Sequence, residues 1–269
     1  MVLAVQDKRE MHYSLNDSIP AAVFRTYDIR GPVAPDKVSS SLAYAIGLAF
    51  GTMAQEKQQS SVVVGRDGRL TGEAIQGGLI QGLLDSGVDV INIGVVSTPM
   101  LYYATATLET QTGVMVTASH NPAGDNGFKL VLAGITLSSE GIQEIYQRIV
   151  KRQFLQGGGA LSSYDIRQHY IEAVVSRIQL GRRLKVVIDC GNGVGAVAGP
   201  EVFRRLGCDV VSLYEEIDGS FPHHHPDPTV PKNLVDLIAR VKSEKADLGL
   251  AFDGDADRIG VVTDQGEVI

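Results

Sequence analysis

Ser61-Val62-Val63-Val64-Gly65 and the stretch behind it, Glu73–Ser86, decide the fold. A short valine run ending in glycine reads as a strand buried on both faces. Behind it, Ala74, Ile75, Leu79, Ile80, Leu83 and Leu84 recur at helical spacing and mark one face of a helix. The alternation continues outward. Val88–Ile93 is a second strand, Met100–Thr107 a second helix and Gly113–Thr117 a third strand. A Pro/Gly/Asn-rich loop leads to a fourth strand, Gly127–Leu132, and then to a helix over Ser139–Gln153. Strands alternating with helices predict layered α/β structure with a mostly parallel, mixed sheet.

Gly157-Gly158-Gly159 is the clearest linker signal in the chain. The pattern then restarts with a helix over Tyr164–Leu180, a strand over Leu184–Asp189, a helix over Ala196–Leu206 and a strand over Asp209–Leu213. A helix over Asn233–Glu244 follows, then strands over Leu248–Phe252 and Ile259–Thr263 joined by a short hairpin. Two α/β domains of similar topology are expected, residues 1–160 and 161–269.

Composition narrows the function class. Of 269 residues, 44% are hydrophobic and 20% charged, which fits a globular chain and excludes a disordered one. Lys plus Arg total 24 against 31 Asp plus Glu, a net charge of −7, which argues against binding nucleic acid over a broad basic face. Cys190 and Cys208, with no Cys-x-x-Cys, make neither a disulfide framework nor a zinc site. Met1–Asn16 is polar with no apolar signal core, and Leu42–Phe50 is too short to span a bilayer, so a cytoplasmic protein without a membrane partner is expected.

Five stretches carry chemistry-bearing residues. Thr117-Ala118-Ser119-His120-Asn121-Pro122 leaves the third strand, at the edge where α/β sheets collect ligands. Ser119, with His120 beside it and Lys129 across the loop, is placed like a nucleophile or phosphate carrier, and equally like an ordinary turn. No Gly-x-Ser-x-Gly elbow is present, which disfavours an esterase. Asp253-Gly254-Asp255-Ala256-Asp257-Arg258 follows a strand directly. Three carboxylates at alternating positions repel unless neutralised, and their oxygens suit Mg²⁺ or Ca²⁺. Arg258 stands where an EF-hand needs glycine, so that loop type is rejected.

Gly191-Asn192-Gly193-Val194-Gly195-Ala196, with Glu215 near the end of the next strand, is a weak dinucleotide fingerprint. It would support an NAD(P)-binding oxidoreductase, against a plain glycine-rich turn. His223-His224-His225, between prolines, reads as a stiff cleft-lining or domain-contact loop, and no metal is claimed there. Phe24-Arg25-Thr26-Tyr27-Asp28-Ile29-Arg30-Gly31 presents Arg30 on a turn, and Arg66-Asp67-Gly68-Arg69 looks similar. Either arginine suits phosphate, although Arg66 is expected to pair with Asp67.

Phe24–Gly31, Thr117–Pro122 with Asn126-Gly127-Phe128-Lys129, and Asp253–Arg258, in this order along the whole chain, resemble the α-D-phosphohexomutases, most closely their bacterial phosphomannomutase/phosphoglucomutase group. The resemblance implies an isomerase of carbohydrate metabolism that interconverts hexose 1-phosphate and 6-phosphate through a hexose 1,6-bisphosphate. It makes Ser119 the phosphoserine of the first domain. It makes Asp253, Asp255 and Asp257 of the second domain the Mg²⁺ ligands, with a Ser119 phosphate oxygen completing the set. His120 and Lys129 fall near the phosphoryl group, and Lys129 is expected to be desolvated and of lowered pKa. Arg258 falls where substrate is faced, and Tyr27 and Arg30 on a loop bordering the site. Family members have four domains, so the chain is expected to be an N-terminal half without the sugar-recognition and C-terminal phosphate-binding domains. As such it is expected to fold, to turn over poorly alone and to self-associate through the surface those domains would cover. The reading outside the family's enzymology is a non-catalytic cation-binding remnant.

Overall fold

A computed structural model describes residues 19–269. Met1–Asn16, expected to carry no signal core, lies outside those residues. The first unit runs β1 (Ile29–Pro32), α1 (Ser40–Glu56), β2 (Ser61–Arg66), α2 (Gly72–Ser86), β3 (Asp89–Val95), α3 (Thr98–Thr107), β4 (Gly113–Val116), β5 (Asp125–Leu132), β6 (Ile135–Thr136), α4 (Ser139–Val150) and β7 (Leu161–Ser163). The second runs α5 (Arg167–Val175), β8 (Lys185–Asp189), α6 (Gly199–Arg205), β9 (Asp209–Leu213), α7 (Val235–Glu244), β10 (Leu248–Phe252) and β11 (Ile259–Thr263).

The valine run explains the first sheet. Val62 and Val64 face one core with α1 and α2, while Val63 faces the other with Met100, Leu101 and Met115. Both faces of β2 are therefore covered. The seven-stranded sheet has the order β1-β5-β4-β2-β3-β7, with β6 pairing β5. β2, β3, β4 and β7 are parallel, and β5 runs antiparallel to β4. The second sheet has the order β11-β10-β8-β9, with β8, β9 and β10 parallel and β11 antiparallel to β10. The segments β5-β4-β2-β3 and β11-β10-β8-β9 share one topology, so the expectation of two similar units with mostly parallel mixed sheets holds.

α1 was not foreseen. Ser39 caps it, its Oγ accepting from Leu42 N at 3.2 Å. It lies against α2 with touching backbones. A methyl group added at Gly47 would come 2.4 Å from the Leu79 carbonyl oxygen, and one at Gly82 would come 2.1 Å from the Tyr44 carbonyl oxygen. Glycine is what allows the approach.

Three helices are shorter or more broken than their periodicity suggested. Tyr164 N donates to Asn92 O, continuing the β3–β7 pairing, so α5 starts only at Arg167. The expected helix over Ala196–Leu206 divides into a 3₁₀ turn, Val194–Val197, and α6, because Pro200 lacks the N–H that would continue it. α4 ends at Val150. The Gly157–Gly159 run is a strap rather than a free linker: Gly157 N donates to Asp85 O and Gly159 N to Leu84 O, both at 2.9 Å. β7, just beyond it, belongs to the first sheet.

No helix among the described residues is long and apolar enough to cross a membrane.

Candidate active site

The carboxyl ends of β4 and β10 face each other, and each opens a loop to an antiparallel neighbour. Ser119 stands on the first loop and Asp253, Asp255 and Asp257 on the second. Ser119 is fully buried and left-handed, at φ +51°. Its Oγ donates to Asp253 Oδ2 at 2.7 Å, accepts from Arg258 Nη2 at 3.2 Å and lies 3.3 Å from His120 Nδ1. Gly254 permits this meeting, since a methyl there would come 2.3 Å from the Ser119 carbonyl oxygen.

The acidic loop is tightly held. Asp253 Oδ1 accepts from Asp257 N and Arg258 N, both at 3.1 Å. Asp255 Oδ2 accepts from Thr98 Oγ1 at the start of α3 and from Lys129 Nζ on β5, each at 2.5 Å. Lys129 Nζ also contacts Asp257 Oδ2. Asp253 and Asp255 are buried, and Asp257 is partly exposed.

The electrostatics record a shortage of positive charge. Burial, then repulsion from Asp255, pushes the Asp253 carboxyl up to about 7. Burial also pushes Asp255 up, but Lys129 and its hydrogen bonds outweigh it and hold this carboxyl below the ordinary value. Lys129 corrects an expectation. Burial pushes its ammonium down, but Asp255 and Asp257 outweigh burial and hold its pKa above the ordinary lysine value. His120 goes the other way: burial, then the Arg258 charge, lowers it and favours the neutral imidazole.

The donor set fits a hard divalent cation. Ligand oxygens of Asp253, Asp255 and Asp257 lie within 4.8 Å of one another. Asp255 Oδ1 is buried and has no hydrogen-bond partner, a costly state that a cation would relieve. An all-oxygen set of this kind suits Mg²⁺ better than zinc.

Arg30 comes to the same loop from β1. Its Nη1 donates to Asn121 Oδ1 at 3.1 Å and its Nη2 pairs with Asp28. Its Nε is buried without a partner. Among the described residues, Arg30 Nε and Asp255 Oδ1 are thus a buried donor and a buried acceptor left unpaired. Tyr27 stands 76% exposed and is not brought into the Ser119 cluster.

The other motifs have structural roles. Val194 N donates to Gly254 O at 3.3 Å, and Gly195 packs on the Phe252 ring so closely that a methyl would come 2.8 Å from it. Gly191–Ala196 thus buttresses the acidic loop, and the dinucleotide reading is not favoured. His224 Nε2 bonds Asp189 Oδ2 at 2.9 Å and His223 Nδ1 bonds Asn192 Oδ1 at 2.8 Å, which fastens this loop to the carboxyl end of β8. Arg66 donates only to the Asp67 carbonyl, and Arg69 is the arginine that pairs with the Asp67 carboxylate. The sequence reading missed Arg69, Asp67, Thr117 and Thr98 as site residues. The available signal was position: Asp67 and Arg69 leave β2 at the edge where Ser119 leaves β4.

Two family models match consecutive stretches: phosphoglucomutase/phosphomannomutase alpha/beta/alpha domain I over residues 21–156, and domain II over residues 168–266. A phosphomannomutase/phosphoglucomutase of Pseudomonas aeruginosa is 51% identical over 252 residues, 94% of this chain and 54% of that protein. A phosphoglucomutase of Neisseria meningitidis is 45% identical over 254 residues, 94% of this chain and 55% of that protein. The crystal structure of a phosphoglucomutase/phosphomannomutase family protein from Burkholderia thailandensis superposes with a TM-score of 0.90 at 44% identity, covering 93% of this chain and 56% of that one. The chain belongs to the phosphoglucomutase/phosphomannomutase family. It spans about half the length of the curated relatives it matches.

Proposed function

We propose that this chain supplies the phosphoserine and the metal site of a Mg²⁺-dependent phosphohexomutase that interconverts hexose 1-phosphate and 6-phosphate through a 1,6-bisphosphate. Residues 1–160 carry the phosphoserine and residues 161–269 the metal loop. The observation behind this reading is the contact of Ser119 Oγ with Asp253, on the loop whose Asp255 Oδ1 is buried and unpartnered. Bound at Asp253, Asp255 and Asp257, Mg²⁺ would neutralise charge on the phosphoryl oxygens.

The chain's own residues account for the rest. A phosphoryl group on Ser119 Oγ passes to the free sugar hydroxyl: the new sugar O–P bond forms as the Ser119 O–P bond breaks, the sugar hydroxyl gives up its proton and the freed Ser119 Oγ takes one up. When the other sugar phosphate returns to Ser119, the Ser119 hydroxyl gives up its proton and the departing sugar oxygen takes one. Lys129, whose Nζ reaches the acidic loop from β5, is the donor for that oxygen, and by microscopic reversibility it recovers the proton in the opposite direction. Arg258 and Arg30 flank the transferred group and hold its equatorial oxygens. Two unpaired buried cysteines suit a reducing compartment, and we place the protein in the cytoplasm.

The test is phosphate incorporation. With glucose 1,6-bisphosphate and Mg²⁺, the intact mass should rise by one phosphate that maps to Ser119, and Ser119→Ala should abolish the rise. A chain that stays unmodified would instead be a cation-binding remnant.

A further inference from the structure

Arg69 lies wholly inside the protein and has no part in the chemistry above; its side chain is 0% exposed. A guanidinium carries five N–H donors in a rigid planar fork, and here all five are used. Nε donates to Asp67 Oδ2 at 3.1 Å. Nη1 donates to the Pro122 carbonyl at 2.6 Å and the Asp125 carbonyl at 3.0 Å. Nη2 donates to the Ser119 and Asn121 carbonyls, both at 2.8 Å. Apart from Asp67, every acceptor belongs to the loop that carries Ser119 or to Asp125, where that loop enters β5.

Asp67 extends the network to the other side of the serine. Its Oδ2 accepts from Thr117 Oγ1 at 2.7 Å, and that oxygen accepts from Ser119 N at 2.9 Å. Both backbone polar groups of Ser119 are therefore fastened to one Arg69–Asp67–Thr117 network. The residue so fastened is left-handed, a conformation that persists only where its surroundings over-determine it. The second unit closes over the network. The Phe221 ring centroid lies 5.4 Å from Arg69 Cζ, and Gly219 packs on the Arg69 backbone so closely that a methyl would come 2.7 Å from Cα.

We propose that Arg69 is the positioning residue of the site: it holds the Ser119 loop in its strained shape, so that the hydroxyl is already aimed at the acidic loop. The inference rests on the proposed role of Ser119 as phosphoryl acceptor. Lysine keeps the charge but offers one nitrogen, which cannot span carbonyls spread over the loop.

The test uses Arg69→Lys with two readouts. The first is single-turnover transfer from glucose 1,6-bisphosphate to Ser119, followed by intact mass. The rate constant should fall by about 10²-fold, the scale of a small misplacement of reacting groups. The half-saturating bisphosphate concentration should change by less than about threefold, separating positioning from uniform binding. The second is amide exchange: amides of 119–126 should exchange faster while those of β2 stay protected. Thr117→Val, which removes one hydroxyl of the network, should free the Ser119 amide in the same way and decides the matter if Arg69→Lys does not fold. Unchanged loop exchange, or a lower melting temperature with an unchanged rate constant per folded molecule, overturns the proposal. A wild-type chain that takes no phosphoryl group sinks the proposed function, and loop exchange then decides the positioning role alone.

Discussion

Ser119 and Asp253, 134 residues apart, stand at equivalent places in two similar sheets and share a 2.7 Å hydrogen bond. Each lies just beyond the third strand, in chain order, of the four-strand segment the two sheets share, on the loop to the antiparallel fourth. Two copies of one topology, set with these loops facing, bring a hydroxyl and a carboxylate cluster together that neither sheet makes alone.

Neutralising one acid should stabilise the chain without metal. Asp253 is crowded by two carboxylates, and its nearest guanidinium contact, Arg258 Nε, is 3.8 Å away. Asp253→Asn keeps the oxygen that accepts from Asp257 N and Arg258 N. We expect it to raise stability in chelator by about 1–3 kcal/mol and to abolish the stabilisation that Mg²⁺ gives the wild type. Denaturant melts with and without Mg²⁺ check both; a destabilised variant in chelator would contradict the charge argument.

On the proposed metal site Mg²⁺ should raise the melting temperature, since a ligand of the folded chain alone stabilises it. At a hundred times the dissociation constant the gain is about 2.7 kcal/mol. Asp255→Asn, which removes a charge next to the orphaned Oδ1, should erase this gain. An equal response in the variant would move the metal elsewhere.

The pairing of His224 with Asp189 should be visible in the pH dependence of stability. Burial pushes the His224 pKa down, but the Asp189 hydrogen bond and charge outweigh it and hold it above its ordinary 6.5. A folded pKa above the unfolded one means the stabilisation is fully present below pH 6.5 and is lost as pH rises through the folded value. The melting-temperature difference between wild type and His224→Gln should therefore shrink on the alkaline side. A difference that stays flat across that range would contradict the pairing.

Gly82→Ala should cost about 1–3 kcal/mol by forcing α1 off α2. The expected signature in calorimetry is a lower melting temperature with little change in Mg²⁺ response, because the helix pair lies away from the acidic loop.

Much of this was legible in residue patterns, and the exceptions have physical causes. β9, β10 and β11 fall where their short apolar runs put them, and the acidic loop was readable because alternating carboxylates after a strand demand neutralisation. α1 escaped notice because it is buried on almost every side from Leu42 to Ala54, leaving no polar face to reveal a period. β1 is four residues long and is defined by its pairing with β5 rather than by its own pattern. Lys129 was seen as a site residue, but the sign of its pKa shift depends on two carboxylates more than 120 positions away. Arg69 is the extreme case, since its partners other than Asp67 appear only when the Ser119 loop folds over it.

The central claim is that a phosphoryl group on Ser119 and a divalent ion on the acidic loop share one site. The direct measurement is the ³¹P spectrum of the chain after glucose 1,6-bisphosphate treatment, titrated with Mn²⁺ in place of Mg²⁺. The account predicts a single serine-phosphate resonance, absent in Ser119→Ala, that Mn²⁺ broadens in the wild type and leaves sharp in Asp255→Asn. No such resonance, or one that Mn²⁺ leaves sharp in the wild type, would contradict it.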